Sequence, residues 1–212
     1  MKLFIVFLAC IAATSSLAHP TSYEGSTGLM SYNQPDLNLL ELNYSWKYWF
    51  ATSVRHLNFN KDFLNKEARA TYASLNFLAY RHNTDKLQAN LYLAGGAGVS
   101  NIDTKSKDSG FGLAQFDIED RKFYFLAKHQ VLFDKEDYEL QISNVRAGMA
   151  PYVAPADGIH SWLILEYLSQ NFRNFKTSED LGPLLRVFYK NLLFEVGYTF
   201  KGLSKFNFIS HF

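Results

Sequence analysis

Residues 39–46 read Leu39-Leu-Glu-Leu-Asn-Tyr-Ser-Trp46. Leu40, Leu42, Tyr44 and Trp46 share one parity, and Leu39, Glu41, Asn43 and Ser45 share the other. Successive side chains of an extended chain point to opposite faces. The stretch therefore predicts a strand with one apolar, aromatic face and one largely polar face.

The pattern recurs along the chain. Thr71, Ala73, Leu75, Phe77 and Ala79 alternate with Tyr72, Ser74, Asn76, Leu78 and Tyr80. Leu87, Ala89, Leu91 and Leu93 alternate with Gln88, Asn90 and Tyr92. Phe125, Ala127, Val131 and Phe133 oppose Lys128 and Gln130, and Phe194, Val196, Tyr198 and Phe200 oppose Glu195 and Thr199. A soluble sandwich shows the same alternation, so the period alone does not choose lipid over a protein core. Length chooses. The segments run roughly 9 to 14 residues, which suits a tilted strand crossing a bilayer, whereas strands of soluble proteins centre on about 5–6 residues.

Connections follow a second rhythm. Strands are predicted near 27–33, 38–46, 48–59, 68–82, 87–101, 111–119, 123–133, 138–150, 160–172, 183–190, 192–200 and 204–212. Tight turns at 45–47, 83–86, 120–122 and 190–191 fall on one side. Longer polar loops at 60–67, 103–110, 134–137, 176–182 and 201–205 fall on the other. Short periplasmic turns and longer outer loops are the asymmetry of bacterial outer-membrane barrels. Residues 33–36 are short for an outer loop, and 154–159 are long for a turn. Ten strands plus an N-terminal segment is the alternative count. Near 138–150 the alternation lapses, which predicts a bulge or a register change. Tyr44, Trp46, Tyr48 and Trp49 bracket one turn, as expected of an interfacial aromatic girdle.

The chain ends Phe206-Asn-Phe-Ile-Ser-His-Phe212. Phe206, Phe208 and Phe212 share a face. This ending resembles the terminal-strand signature of bacterial outer-membrane β-barrel proteins, with Ser210 a mild departure from the usual apolar residue. The resemblance spans residues 19–212 in architecture. It implies an all-β fold, a single antiparallel up-and-down transmembrane barrel in the cell outer membrane. It also implies contact with outer-membrane lipids, and with the barrel-assembly machinery through the terminal phenylalanines.

Composition agrees. The chain has 212 residues, 17% aromatic, with a formal net charge of +1. Near-neutral charge points to no nucleic-acid partner. Residues 1–18 read as a cleaved secretory signal peptide: Met1-Lys2, an apolar run from Leu3 to Ala13, and small residues up to Ala18. Its removal takes away Cys10, the single cysteine, so disulfides hold nothing together.

With apolar faces toward lipid, the lumen-lining set includes Glu41, Asn43, Tyr80, Arg55, Asp117, Lys128, Glu166, Arg186, Lys190 and Glu195. A balanced lining selects ions weakly or closes on its own salt bridges. The leading expectation is a porin-like, narrow passive channel for small solutes or ions. A non-conducting interaction barrel, binding a partner through loops 60–67, 103–110 and 176–182, stands against it. A lipid-modifying enzyme comes third. No histidine has a distinctive catalytic spacing, although His56 with Ser53, or His129 with a serine on a neighbouring strand, stays open. No ligand spacing suggests a metal or any other cofactor. The chain is expected not to be an enzyme.

Overall fold

Each alternating stretch pairs with the one after it. The computed structural model describes residues 21–60, 68–102, 105–134, 139–155, 158–172 and 177–212; the proposed signal segment lies outside them. Twelve strands run in order: β1 (Thr27–Asn33), β2 (Leu37–Lys47), β3 (Phe50–Phe59), β4 (Ala68–Asn83), β5 (Gln88–Ile102), β6 (Lys105–Glu119), β7 (Phe123–Asp134), β8 (Glu139–Met149), β9 (His160–Phe172), β10 (Thr177–Tyr189), β11 (Leu192–Tyr198) and β12 (Ser204–His211). Neighbours are antiparallel, and β1 pairs with β12, so the sheet closes into a barrel. Closure leaves no unpaired edge, which a strand in lipid requires. The seam runs to the last residue: Thr27 N–H donates to the Phe212 carbonyl at 2.7 Å.

The outer face is apolar. Leu40, Leu42 and Val54 are about half exposed, with Leu163 and Val196 like them. Trp46, Tyr48 and Trp49 project at the end that carries the tight turns. The Trp46 indole N–H is satisfied by Thr52 Oγ1 at 3.0 Å.

Two strands run further than the sequence suggests. β6 begins at Lys105 and β10 at Thr177, where the polar composition predicts loops. Residues Lys105–Ser109 pair with Gly98–Ile102 through Ser106, Lys107 and Asp108, which carry no apolar face. Alternation marks a strand only within the lipid band; beyond it, backbone pairing continues without the signal. β8 holds an unbroken register with β7 from Phe123↔Met149 to Phe133↔Glu139, so no bulge lies there. One register shift falls between Ser45 and Lys47, and another between Leu78 and Tyr80. The second turns Tyr80 outward and brings Arg81 inward, where its guanidinium bonds Asn90 at 2.8 Å and Tyr92 at 3.2 Å.

The interior is filled in layers. Toward the loop end, Leu37, Leu39, Leu57, Phe59, Tyr72, Phe111, Leu132, Leu140, Leu168 and Phe172 form one buried apolar cluster inside the barrel. Gly96 and Gly98 of β5 leave room for it. A Cβ on Gly96 would meet the Phe111 ring, and one on Gly98 would run into the Thr71 carbonyl. Smaller apolar clusters line the turn end on two sides: Tyr124, Leu126, Ile164 and Leu184 on one, and Met30, Leu193 and Ile209 on the other. Between these layers lies a belt of charge.

Candidate functional site

Three ion pairs of the belt are direct cross-strand partners. Arg55 opposes Glu41, Arg146 opposes Glu166, and Arg186 opposes Glu195. Arg55 Nε reaches Glu41 at 2.8 Å, with its guanidinium 4.8 Å over the Phe111 ring. Arg146 bonds Glu166 at 2.6 Å and Glu195 at 3.0 Å. Arg186 bonds Glu195 at 2.7 Å and the Tyr124 hydroxyl at 3.1 Å. Lys205 reaches Glu166 at 2.8 Å, while Asn144 and Asn207 donate to Glu166 and Glu195 at 3.0 and 2.7 Å.

Two of these contacts are chords rather than neighbours. Arg146 of β8 reaches Glu195 of β11, and Lys205 of β12 reaches Glu166 of β9. Each bridges strands three apart in the closed sheet, and Arg146, Glu166, Glu195 and Lys205 are all buried. Buried charges are tolerated because each carboxylate is paired and hydrogen-bonded.

Both mouths are partly covered. At the loop end, the β1–β2 connection reaches across to the far wall. Asp36 accepts from Ser178 Oγ at 2.7 Å, and Gln34 from Gln170 at 3.2 Å. That connection is short because it caps rather than projects. At the turn end, Thr21, Ser22 and Ser26 are buried, and Ser22 N–H donates to the inward Ser45 Oγ at 3.0 Å. The rest of the turn end is a cavity of about 440 Å³. Its wall carries Tyr124, Trp162 and Phe188, its depth Lys128 and Arg146, and its rim Glu119, Asp120, Arg121 and Tyr152.

The residues expected in the lumen therefore separate. Glu166, Arg186 and Glu195 meet in one cluster, and Arg55 sits with Glu41. Asp117 is buried and accepts from Asn90 at 2.8 Å and Gln115 at 3.2 Å. Lys128 faces the cavity, its ammonium 5.4 Å from the Tyr32 ring centre. Lys190 is not lumen-lining. It occupies the β10–β11 turn at φ 54°, with its ammonium 5.2 Å from the Tyr189 ring. The terminal Phe206 and Phe212 lie outside, where Phe194 contacts both Phe206 and Phe208, with ring centres 6.5 and 5.1 Å away.

Arg146 is a functional-site residue that alternation does not assign. Leu140, Ile142, Asn144 and Arg146 share an inward parity. The polar outward residues Gln141 and Ser143 mask it. Outward, His129 Nδ1 and Ser143 Oγ lie 2.9 Å apart, and His56 Nδ1 and Thr71 Oγ1 do the same at 2.9 Å.

Comparison with solved structures returns the same architecture. The barrel is similar to LpxR from Salmonella typhimurium, with 8% sequence identity, 88% of this chain and 99% of that chain covered, and a TM-score of 0.49. It is also similar to a loop L8 deletion mutant of OmpT, an outer membrane protein of Vibrio cholerae, at 10% identity, 88% and 96% coverage and a TM-score of 0.38. The chain has the fold of outer-membrane β-barrel proteins. No protein-family model and no curated protein matches the sequence. The expectation that the chain is not an enzyme is withdrawn: LpxR is an outer-membrane enzyme, so a barrel of this kind does not exclude catalysis. Likeness at this level of identity speaks for the fold alone.

Proposed function

We propose that this barrel is closed to through-passage and takes a small ligand into the cavity at its turn end, on the periplasmic side by the asymmetry of its connections. The observation that carries this reading is the Arg146 cluster. Its contacts bridge strands three apart between the cavity and the apolar layer, and its charges are buried. A diffusion channel needs a continuous wet path, and this belt interrupts one. The cavity matches the size and make-up of a small-molecule site: apolar walls with a few convergent polar groups. The test is proteoliposome swelling in solutions of small sugars. The expected rate equals that of protein-free liposomes; faster swelling would return the chain to the channel class.

A second reading, a lipid-modifying enzyme, is supported by one observation. His129 and Ser143 are within hydrogen-bond distance on the lipid-facing wall, where a nucleophile and base acting on lipid would sit. The same pairing at His56–Thr71 points to a plainer cause. A polar side chain facing lipid is stabilised by any cross-strand partner that satisfies it. Purified protein incubated with phospholipid and lipid A decides between them: turnover that Ser143→Ala abolishes supports an enzyme, and no turnover leaves the pair structural.

A further inference from the structure

The cavity carries charge of opposite sign at its two ends. At depth, Lys128 makes no ion pair among the described residues; its one contact of note is the Tyr32 ring. Arg146 lies beside it on the same lining but is committed to Glu166 and Glu195. At the rim, Glu119 is half-buried and makes no ion pair among the described residues. Every other carboxylate of the belt is paired or hydrogen-bonded, which sets these two groups apart.

Their spacing comes from the register. Lys128 opposes Gln115, and Glu119 opposes Tyr124. Four residues along a strand separate the two positions, about 13 Å at the usual rise. Tyr124 and Trp162 line the same cavity, with ring centres 6.0 Å apart. Elsewhere in this interior a buried charge is paired or hydrogen-bonded by the protein. Here the counter-charges are missing in complementary places, as they would be if a ligand supplied them.

We propose that the cavity binds an elongated zwitterion, anionic end inward at Lys128 and cationic end at Glu119, with the chemistry of a short free peptide of about four residues. An extended chain of that length spans about 13 Å. The carboxylate enters first, the backbone runs along the Tyr124–Trp162 wall, and the terminal amine stays at the rim. The proposal rests on the reading of the turn-end cavity as a ligand site.

The test is calorimetric titration of the refolded barrel in detergent with four probes: tetra-alanine, its C-terminal amide, its N-acetyl form, and laurate. Tetra-alanine is expected to bind. Amidation and acetylation are each expected to weaken binding about tenfold or more, the scale of one charge-assisted contact. In Lys128→Met the free acid falls to the affinity of the amide, and in Glu119→Gln the free amine falls to that of the acetylated form. Heat-modifiable gel migration shows whether each variant is folded. The blocked peptides probe the wild-type protein, so the outcome does not depend on the variants. No binding of tetra-alanine, binding indifferent to both blocked ends, or tighter binding of laurate overturns the zwitterion. Swelling and conductance are measured separately, so a barrel that proves closed but binds no peptide loses this inference alone.

Discussion

At the residue scale, Arg146 joins the most partners. It bridges β8, β9 and β11 through two carboxylates, and both are oriented by asparagines. Removing one member of a buried ion cluster leaves charges unpaired, which typically costs about 3–5 kcal/mol. Arg146→Ala is expected to lower unfolding stability by that amount, read from urea titration of the folded barrel in lipid. A change below about 1 kcal/mol, the range of exposed pairs, would mean water reaches the cluster. Ser143→Ala, by contrast, is expected to change stability by less than about 1 kcal/mol in the same titration, since it removes one hydrogen bond at the lipid wall. Sequence parity places Arg55, Glu166, Arg186 and Glu195 on inward faces because each interrupts an apolar run. Arg146 is not legible that way. Near the loop end its strand carries Leu140 and Ile142 inward and Gln141 and Ser143 outward, the reverse of the usual pattern, so parity there points the wrong way. Lys190 misleads for the opposite reason: it continues the alternation of β10 but falls in the turn.

At the scale of elements, alternation locates strands wherever lipid bathes one face. It fails at Lys105–Ser109 and Thr177–Asp180, where pairing continues outside the apolar band. It also fails at the Leu78/Tyr80 shift, where one extra residue inverts the facing of the remaining strand residues. Gly98 of β5 sits at a close approach, with the Thr71 carbonyl where a side chain would go. Gly98→Val is expected to prevent closure between β4 and β5. The check is the heat-modifiable band, which should be lost; a normal band would show that the strands can part to admit the side chain. The β6–β7 turn gives a milder effect. Asp120 accepts the backbone N–H groups of Lys122 and Phe123, both at 2.6 Å, and these hold its carboxyl below the usual range. Its contribution is present above the unfolded value of about 3.9 and fades as pH falls through the lower folded value. Wild type and Asp120→Ala should therefore converge in stability under acid unfolding and separate near neutrality. A gap that persists at the lowest pH would remove the carboxylate from the account.

At the scale of the whole molecule, the closed twelve-stranded barrel is legible in strand count, turn asymmetry and the aromatic C-terminus. The filling of its lumen is not. Whether a lumen is open depends on the summed volume of inward side chains, and on which of them meet between non-adjacent strands rather than between neighbours. Arg146 with Glu195 and Lys205 with Glu166 are separated by 49 and 39 residues, and no local pattern announces such chords. The inward leucines of the loop-end cluster are equally hidden, because an apolar residue on either face of a membrane strand satisfies the alternation. The central claim is that this belt bars the lumen. Its most direct test is single-channel recording of the folded, heat-modifiable protein in a planar lipid bilayer with salt on both sides. The account predicts a flat baseline at all moderate voltages. Discrete, repeated conductance steps would contradict it.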